Sequence, residues 1–234
     1  MIHRHPQFEK HSGSYNFRDV ILGAQDGLVN VLGIILAVAT ATQDSRIVII
    51  AGVAAMFAES VSMAAVAFTS SKAVNDYYKG QVEREKREIK EIPEMEKKEI
   101  WDIYHKKGFR GPILSAIVKK ITSNKRLWLK TMMEEELHLY REEEHPYKSA
   151  AVVGFSAIVG SLVPLLPFLF MHIQIGIVFS LILSVVVLFM TGAVKNYVTI
   201  GNPVRGGIEI TAIGMLAAII GYGIGAILGV ALYA

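Results

Sequence analysis

The sequence predicts an all-α membrane protein, with five transmembrane helices and a charged helical domain inserted between spans 2 and 3. Three observations predict it. Of the 234 residues 52% are hydrophobic and the mean hydropathy is +0.40, too apolar for an ordinary water-soluble domain. Five stretches reach the roughly 20 apolar residues that a bilayer core demands. Finally, 15 of the 21 Asp and Glu fall in one block, 73–148, which separates two apolar halves.

In chain order, 1–19 reads as a polar tail and 20–72 as spans 1 and 2. The block 73–148 reads as the inserted domain and 149–234 as spans 3 to 5. The tail lacks an apolar stretch, so no cleaved signal peptide is expected. Its His3, His5 and His11 read as tail residues and not as ligands. The spans are expected at about 20–41, 47–71, 150–170, 174–194 and 207–233. Within the insert, Pro93 and "KKGFRGP" (106–112) break the helical spacing, which predicts three or four helices. In the last span Gly221, Gly225 and Gly229 recur every fourth residue, a face that lets another helix approach closely.

Lysine and arginine set the orientation. Arg4, Lys10, Arg18, the bases of the insert, Lys195 and Arg205 fall on one side, and only Arg46 on the other. By the positive-inside rule the N-terminus and the insert are cytoplasmic. The formal charge of +3 suggests no nucleic-acid partner, and the absence of cysteine excludes disulfides and thiolate metal sites. The bilayer is the first expected partner.

Two carboxylates stand inside the apolar spans. Asp26 lies in "GAQDGLVNVLG" and Glu59 in "AGVAAMFAESVSMAAVAF", near mid-membrane. A charged Asp at a helix centre costs about 2.5–3.5 kcal/mol on insertion scales, and such residues mark ion pathways. Met63 follows Glu59 by four residues, on the same face. A carboxylate beside a thioether suits a borderline transition metal better than Mg²⁺ or Ca²⁺. Asn30, one turn after Asp26, could add an amide oxygen.

The insert repeats this chemistry. Glu85 and Glu88 are three apart, as are Glu96 and Glu99, and Pro93 permits a turn that brings the two faces together. Each is followed at i+4 by isoleucine: Ile89, Ile92, Ile100 and Ile103. All four are therefore expected to turn inward, where carboxylates repel unless a cation holds them. Glu83 with Arg87 and Glu94 with Lys98 read instead as solvated i, i+4 pairs. "LKTMMEEELHLY" adds Met132, Met133 and Glu136. Spacing alone leaves a metal cluster and an ordinary charged bundle both open.

Taken together, "RDVILGAQDGLVNVLG", "AESVSMAA", the two glutamate pairs, "MMEEE" and the glycine-rich last span resemble the vacuolar iron transporter family. The resemblance covers nearly the whole chain. It implies a homodimer in which the insert is a cytoplasmic metal-binding domain. It also implies export of Fe²⁺ from the cytosol in exchange for protons, and no enzymatic activity. The implied metal ligands are Glu85, Glu88, Glu96, Glu99, Met132, Met133 and Glu136, and the implied pathway residues Asp26, Glu59 and Met63. Val66, Ala67 and Phe68 stand where many eukaryotic members carry Gly-Glu-Tyr, so one carboxylate is missing at the cytoplasmic end of the path. That departure and the short tail point to a cell membrane and away from a vacuole. Two rivals compete: a carboxylate di-iron ferroxidase, whose sites normally carry Glu-x-x-His on two helices, and a membrane-anchored metal sensor, which would need neither Asp26 nor Glu59.

Overall fold

The computed structural model describes residues 12–140 and 145–233; the three N-terminal histidines lie outside them. The described residues form helices joined by short turns, without a strand. They are α1 (Ser12–Thr42), α2 (Ser45–Glu91), α3 (Pro93–Lys106), α4 (Gly111–Thr122), α5 (Lys125–Thr131), a π-helical turn (Met132–Glu136), α6 (Pro146–Phe170), α7 (Ile173–Val198) and α8 (Pro203–Tyr233). Five of these, α1, α2, α6, α7 and α8, are long and apolar enough to cross a membrane, so this is a multi-pass membrane protein.

Two boundaries differ from the expected ones. Helix α1 begins at Ser12, so residues 12–19 of the expected tail are helical. Helix α2 does not stop at residue 72 but runs unbroken for 47 residues. At 1.5 Å per residue that is about 70 Å, more than twice the hydrocarbon thickness of a bilayer. Only its apolar part, to about residue 71, can span. Between Phe68 and Glu91 the sequence has no proline, the next after Phe68 being Pro93, and the single Gly80 does not stop the helix. The chain divides into two compact units, Met1–Thr69 with His145–Ala234, and Ser70–Glu144.

In the first unit α1 is the central helix. Its Val31, Ile35 and Ala39 pack with Val48 and Met56 of α2 and with Leu165 and Phe168 of α6. On another face, Leu28, Leu32 and Leu36 pack with Leu188 of α7 and with Ile210 and Ala218 of α8. Lipid tails are as apolar as these side chains, so association here depends on close fit. The glycines supply it. A Cβ on Gly221 or Gly225 would run into the backbone of Gly33 or Ala37, and one on Gly160 into that of Ala24. The glycine face expected in the last span is therefore the seam between α8 and α1. Phe68, where the missing Gly-Glu-Tyr motif would end, lies with its ring centroid 5.0 Å from that of Tyr147.

The second unit is a small bundle around Ile89, Ile100, Ile121, Trp128 and Met132. Pro93 sits in the first turn of α3, where its missing N–H costs nothing. The break at 106–112 is made by Gly108 and Gly111, both at positive φ. The Asn124 side chain caps α5 by accepting from the N–H groups of Arg126 and Leu127.

Candidate metal centre

The first unit brings its two intramembrane carboxylates together. Asp26 on α1 is within interaction reach of both Glu59 and Asn30. The Asn30 amide Nδ2 donates to Glu59 Oε1 at 2.9 Å. Asn30 thus presents its N–H to the glutamate. Asp26, Glu59 and Met63 are half-buried in the single chain and Asn30 is exposed. Further along α1, seven residues before Asp26, the buried Asp19 accepts a hydrogen bond from the Ser149 hydroxyl of α6 at 2.6 Å. Asp19 also pairs with Arg18 at 3.4 Å. Sequence reasoning missed it because it falls at the expected end of the tail, where a charge is unremarked.

In the second unit the inward turn is complete for two of the four paired glutamates. Glu85 and Glu96 are each only 3% exposed, and their i+4 partners Ile89 and Ile100 are buried with them. Glu88 lies at the rim: its carboxylate accepts from Arg84 Nε at 3.0 Å, and its i+4 partner Ile92 is 44% exposed. Glu99 is half-buried. The inward stripe of each helix is centred on Glu85 and Glu96, so a residue three positions on swings towards its edge. The solvated pairs also differ in register. Glu83 pairs with Lys86 and Glu94 with Lys97, both at 2.6 Å and three apart, not with Arg87 and Lys98.

"MMEEE" is a π-helical turn, closed by the Leu137 N–H reaching back five residues to the Met132 carbonyl at 3.1 Å. Such turns often occur at functional sites. Met132 and Met133 are both buried. Glu136 follows at the end of the turn, while Glu134 and Glu135 pair outward with Lys130 and Lys107.

The electrostatics of this unit are those of crowded carboxylates. Burial, then the charges of Glu136, Glu88 and Glu99, pushes Glu85 up to about 7. Burial, then Glu99, Glu85 and Glu136, pushes Glu96 up to about 7 as well. Glu136 and Glu99 are raised mainly by burial, with Glu88 adding to both. One buried oxygen on each of Glu85, Glu96 and Glu136 has no hydrogen-bond partner. Yet among the described residues no group of three or more His, Asp or Glu stands close enough to form a ready-made metal site. The glutamates therefore feel one another without closing into a coordination shell. Each charge disfavours ionisation of its neighbours, and a divalent cation is the species that would reverse that sign. The donor set of hard carboxylates with two buried thioethers fits Fe²⁺ and its neighbours better than Ca²⁺.

Comparison with known proteins points the same way. Residues 17–226 match the VIT family model. The chain is 31% identical over 223 residues to "Vacuolar iron transporter 1" of Oryza sativa subsp. japonica, covering 94% of this chain and 88% of that protein. It is 30% identical over 203 residues to "Vacuolar iron transporter 1" of Arabidopsis thaliana, covering 86% and 81%. It is 28% identical over 210 residues to "Protein CCC1" of Saccharomyces cerevisiae, covering 86% and 65%. The plant relatives are named as transporters and not as enzymes, and their names place them at a vacuole; nothing among the matches supports the cell membrane expected above. With the match spanning both the intramembrane carboxylates and the glutamate-rich insert, the chain belongs to the VIT family.

Proposed function

We propose that this protein is a divalent-metal transporter that moves Fe²⁺ out of the cytosol in exchange for protons. In this scheme the insert is a cytoplasmic domain that collects the ion, and Asp26, Glu59 and Met63 carry it through the membrane. One observation carries the reading above all: Asp26 and Glu59, on separate spans, lie within interaction reach of each other, and Asn30 donates a hydrogen bond to Glu59. Two carboxylates that merely served helix packing could stand anywhere along the two helices. Only a shared task requires them to meet in lipid, where each is costly.

The collecting role is supported by the unpartnered buried oxygens on Glu85, Glu96 and Glu136 and by the buried thioethers of Met132 and Met133 in the same unit. Glu88 and Glu99, nearer the rim, would complete the shell once a cation offsets the repulsion. Proton exchange follows from simple competition, since a carboxylate must lose its proton to bind metal and can release metal on gaining one. A homodimer is supported by the exposure of Asn30 in the single chain. A polar cluster open to lipid is expensive, and a second copy laid against α1 and α2 would cover it. Exposed apolar residues on α2, Ile50 (69%), Phe57 (55%) and Val61 (70%), offer further surface for such a contact or for lipid.

The test is Fe²⁺ flux into proteoliposomes of the full chain, with and without an acidic interior. Uptake that rises with the proton gradient is expected. Absence of uptake under any gradient, with Fe²⁺ binding intact, would leave a metal sensor; oxygen consumption on adding Fe²⁺ would favour the ferroxidase.

A further inference from the structure

The second unit has a side that the metal reading does not use. Between Asp102 and Glu134 the chain carries eight Lys and Arg and not one Asp or Glu. This acid-free stretch holds the end of α3, all of α4 and all of α5. Helix α4 is amphipathic. Leu114 and Ile121 are buried against the bundle, while Ile113, Ala116 and Lys120 share a separate, exposed face. Ile113 is 64% exposed. Lys119, Lys125 and Arg126 are also exposed, and none of these four cations has an ion-pair partner among the described residues. Carboxylates and cations are thus mixed and partly paired on α2 and α3, whereas α4 and the start of α5 carry cations and an exposed apolar residue without any carboxylate.

We propose that this α4–α5 face docks on the anionic phospholipid headgroups of the bilayer that the chain itself spans. The occupant follows from two features of the patch. Unpaired cations clustered in a domain tethered to membrane spans complement an anionic leaflet, each multiplying surface affinity by about fivefold. An isoleucine exposed on the same face as Lys120 suits an interface where headgroups meet acyl chains, as in helices that lie in the plane of the membrane. A free phosphate would use the cations and leave Ile113 without a role. Docking would hold the cationic side against lipid and leave the carboxylate side to meet metal ions. This inference rests on the membrane assignment and not on which metal is carried.

The chain has no cysteine, so a single fluorophore can be placed by Ile113→Cys, with Glu83→Cys on the acidic side as the control. The full-length protein is reconstituted in nanodiscs of phosphatidylcholine alone or with phosphatidylglycerol, each carrying a headgroup-level nitroxide quencher. The expected result is quenching at position 113 several-fold stronger in the anionic discs, with the control little changed. Quenching should be lost at about 0.5 M NaCl, where the screening length falls to roughly 4 Å. It should also be lost in K119E/K120E/K125E/R126E. Equal quenching in both lipids, or none in either, overturns the proposal. Displacement by a few millimolar inorganic phosphate, but not by chloride of equal ionic strength, identifies a free-phosphate site and overturns it too. Should the fourfold variant fail to fold, the lipid and salt comparisons on the labelled parent still decide.

Discussion

The two acidic clusters differ in how completely their polar atoms are satisfied. In the membrane unit the Asn30 amide on α1 donates to Glu59 on α2, with Asp26 within interaction reach of both. In the insert, Glu85, Glu96 and Glu136 each keep a buried oxygen without a partner, and the neighbours that crowd them are other carboxylates. The surroundings explain the contrast. In lipid an unsatisfied polar group has no water to fall back on, so Glu59 takes a partner from the neighbouring helix. In the small bundle of the second unit, repulsion can be tolerated by protonation or relieved by a cation. Under the proposed function the membrane pair would pass an ion on and the insert would retain one.

The difference can be broken from either side. The largest expected effect is from Asp26→Ala, which should reduce Fe²⁺ flux in proteoliposomes to background while leaving metal binding by the insert intact. Normal flux in that variant would remove Asp26 from the pathway. Next comes Glu85→Gln with Glu96→Gln. These changes should weaken Fe²⁺ binding to the full chain by more than the roughly 10–100-fold typical of losing an outer partner of a metal ligand. The same double variant should make the metal-free insert more resistant to heat, because it removes two buried charges that repel.

Acidity supplies a third and smaller effect. Glu85 and Glu96 are raised to about 7 in the fold, above their unfolded value near 4.5. The folded insert therefore holds more protons than the unfolded chain between those two pH values, and its stability without metal should fall as pH rises through that window. Metal binding should do the reverse, strengthening as pH rises to about 7 and levelling off above it. Calorimetry of the full chain at pH 5.5 and pH 8, with and without Mn²⁺ as an oxidation-resistant substitute, checks both signs. A metal-free insert that melts higher at pH 8 would contradict them. The smallest effect is expected from Asn30→Ala, which removes a single hydrogen bond to Glu59 and should slow flux by about tenfold or less. If flux in Asn30→Ala fell as far as in Asp26→Ala, Asn30 would itself be a station for the ion.

Much of this was legible in the chain. Hydropathy located all five spans, and Pro93 with the 106–112 break located the ends of α2, α3 and α4. Other features were not. Asn30 can donate or accept, and its role depended on whether Glu59 stood opposite its nitrogen or its oxygen. The i, i+3 spacing put Glu85 with Glu88 and Glu96 with Glu99 on one side of each helix. It could not say which member sat at the centre of the stripe and which at the rim. The π turn depends on hydrogen bonds to the fifth residue back, for which "MMEEE" has no composition signal.

Sequence alone determined the helices, the spans and the kinds of ligand atom available. Length, hydropathy and proline placement are local properties that any backbone must obey. Tertiary structure decided which carboxylates meet: Asp26 finds Glu59 across two helices, and Glu85 and Glu96 turn fully inward while Glu88 stays at the edge. The physical reason is that a carboxylate's character comes from its neighbours and from the water it has lost, and both are settled only when helices pack.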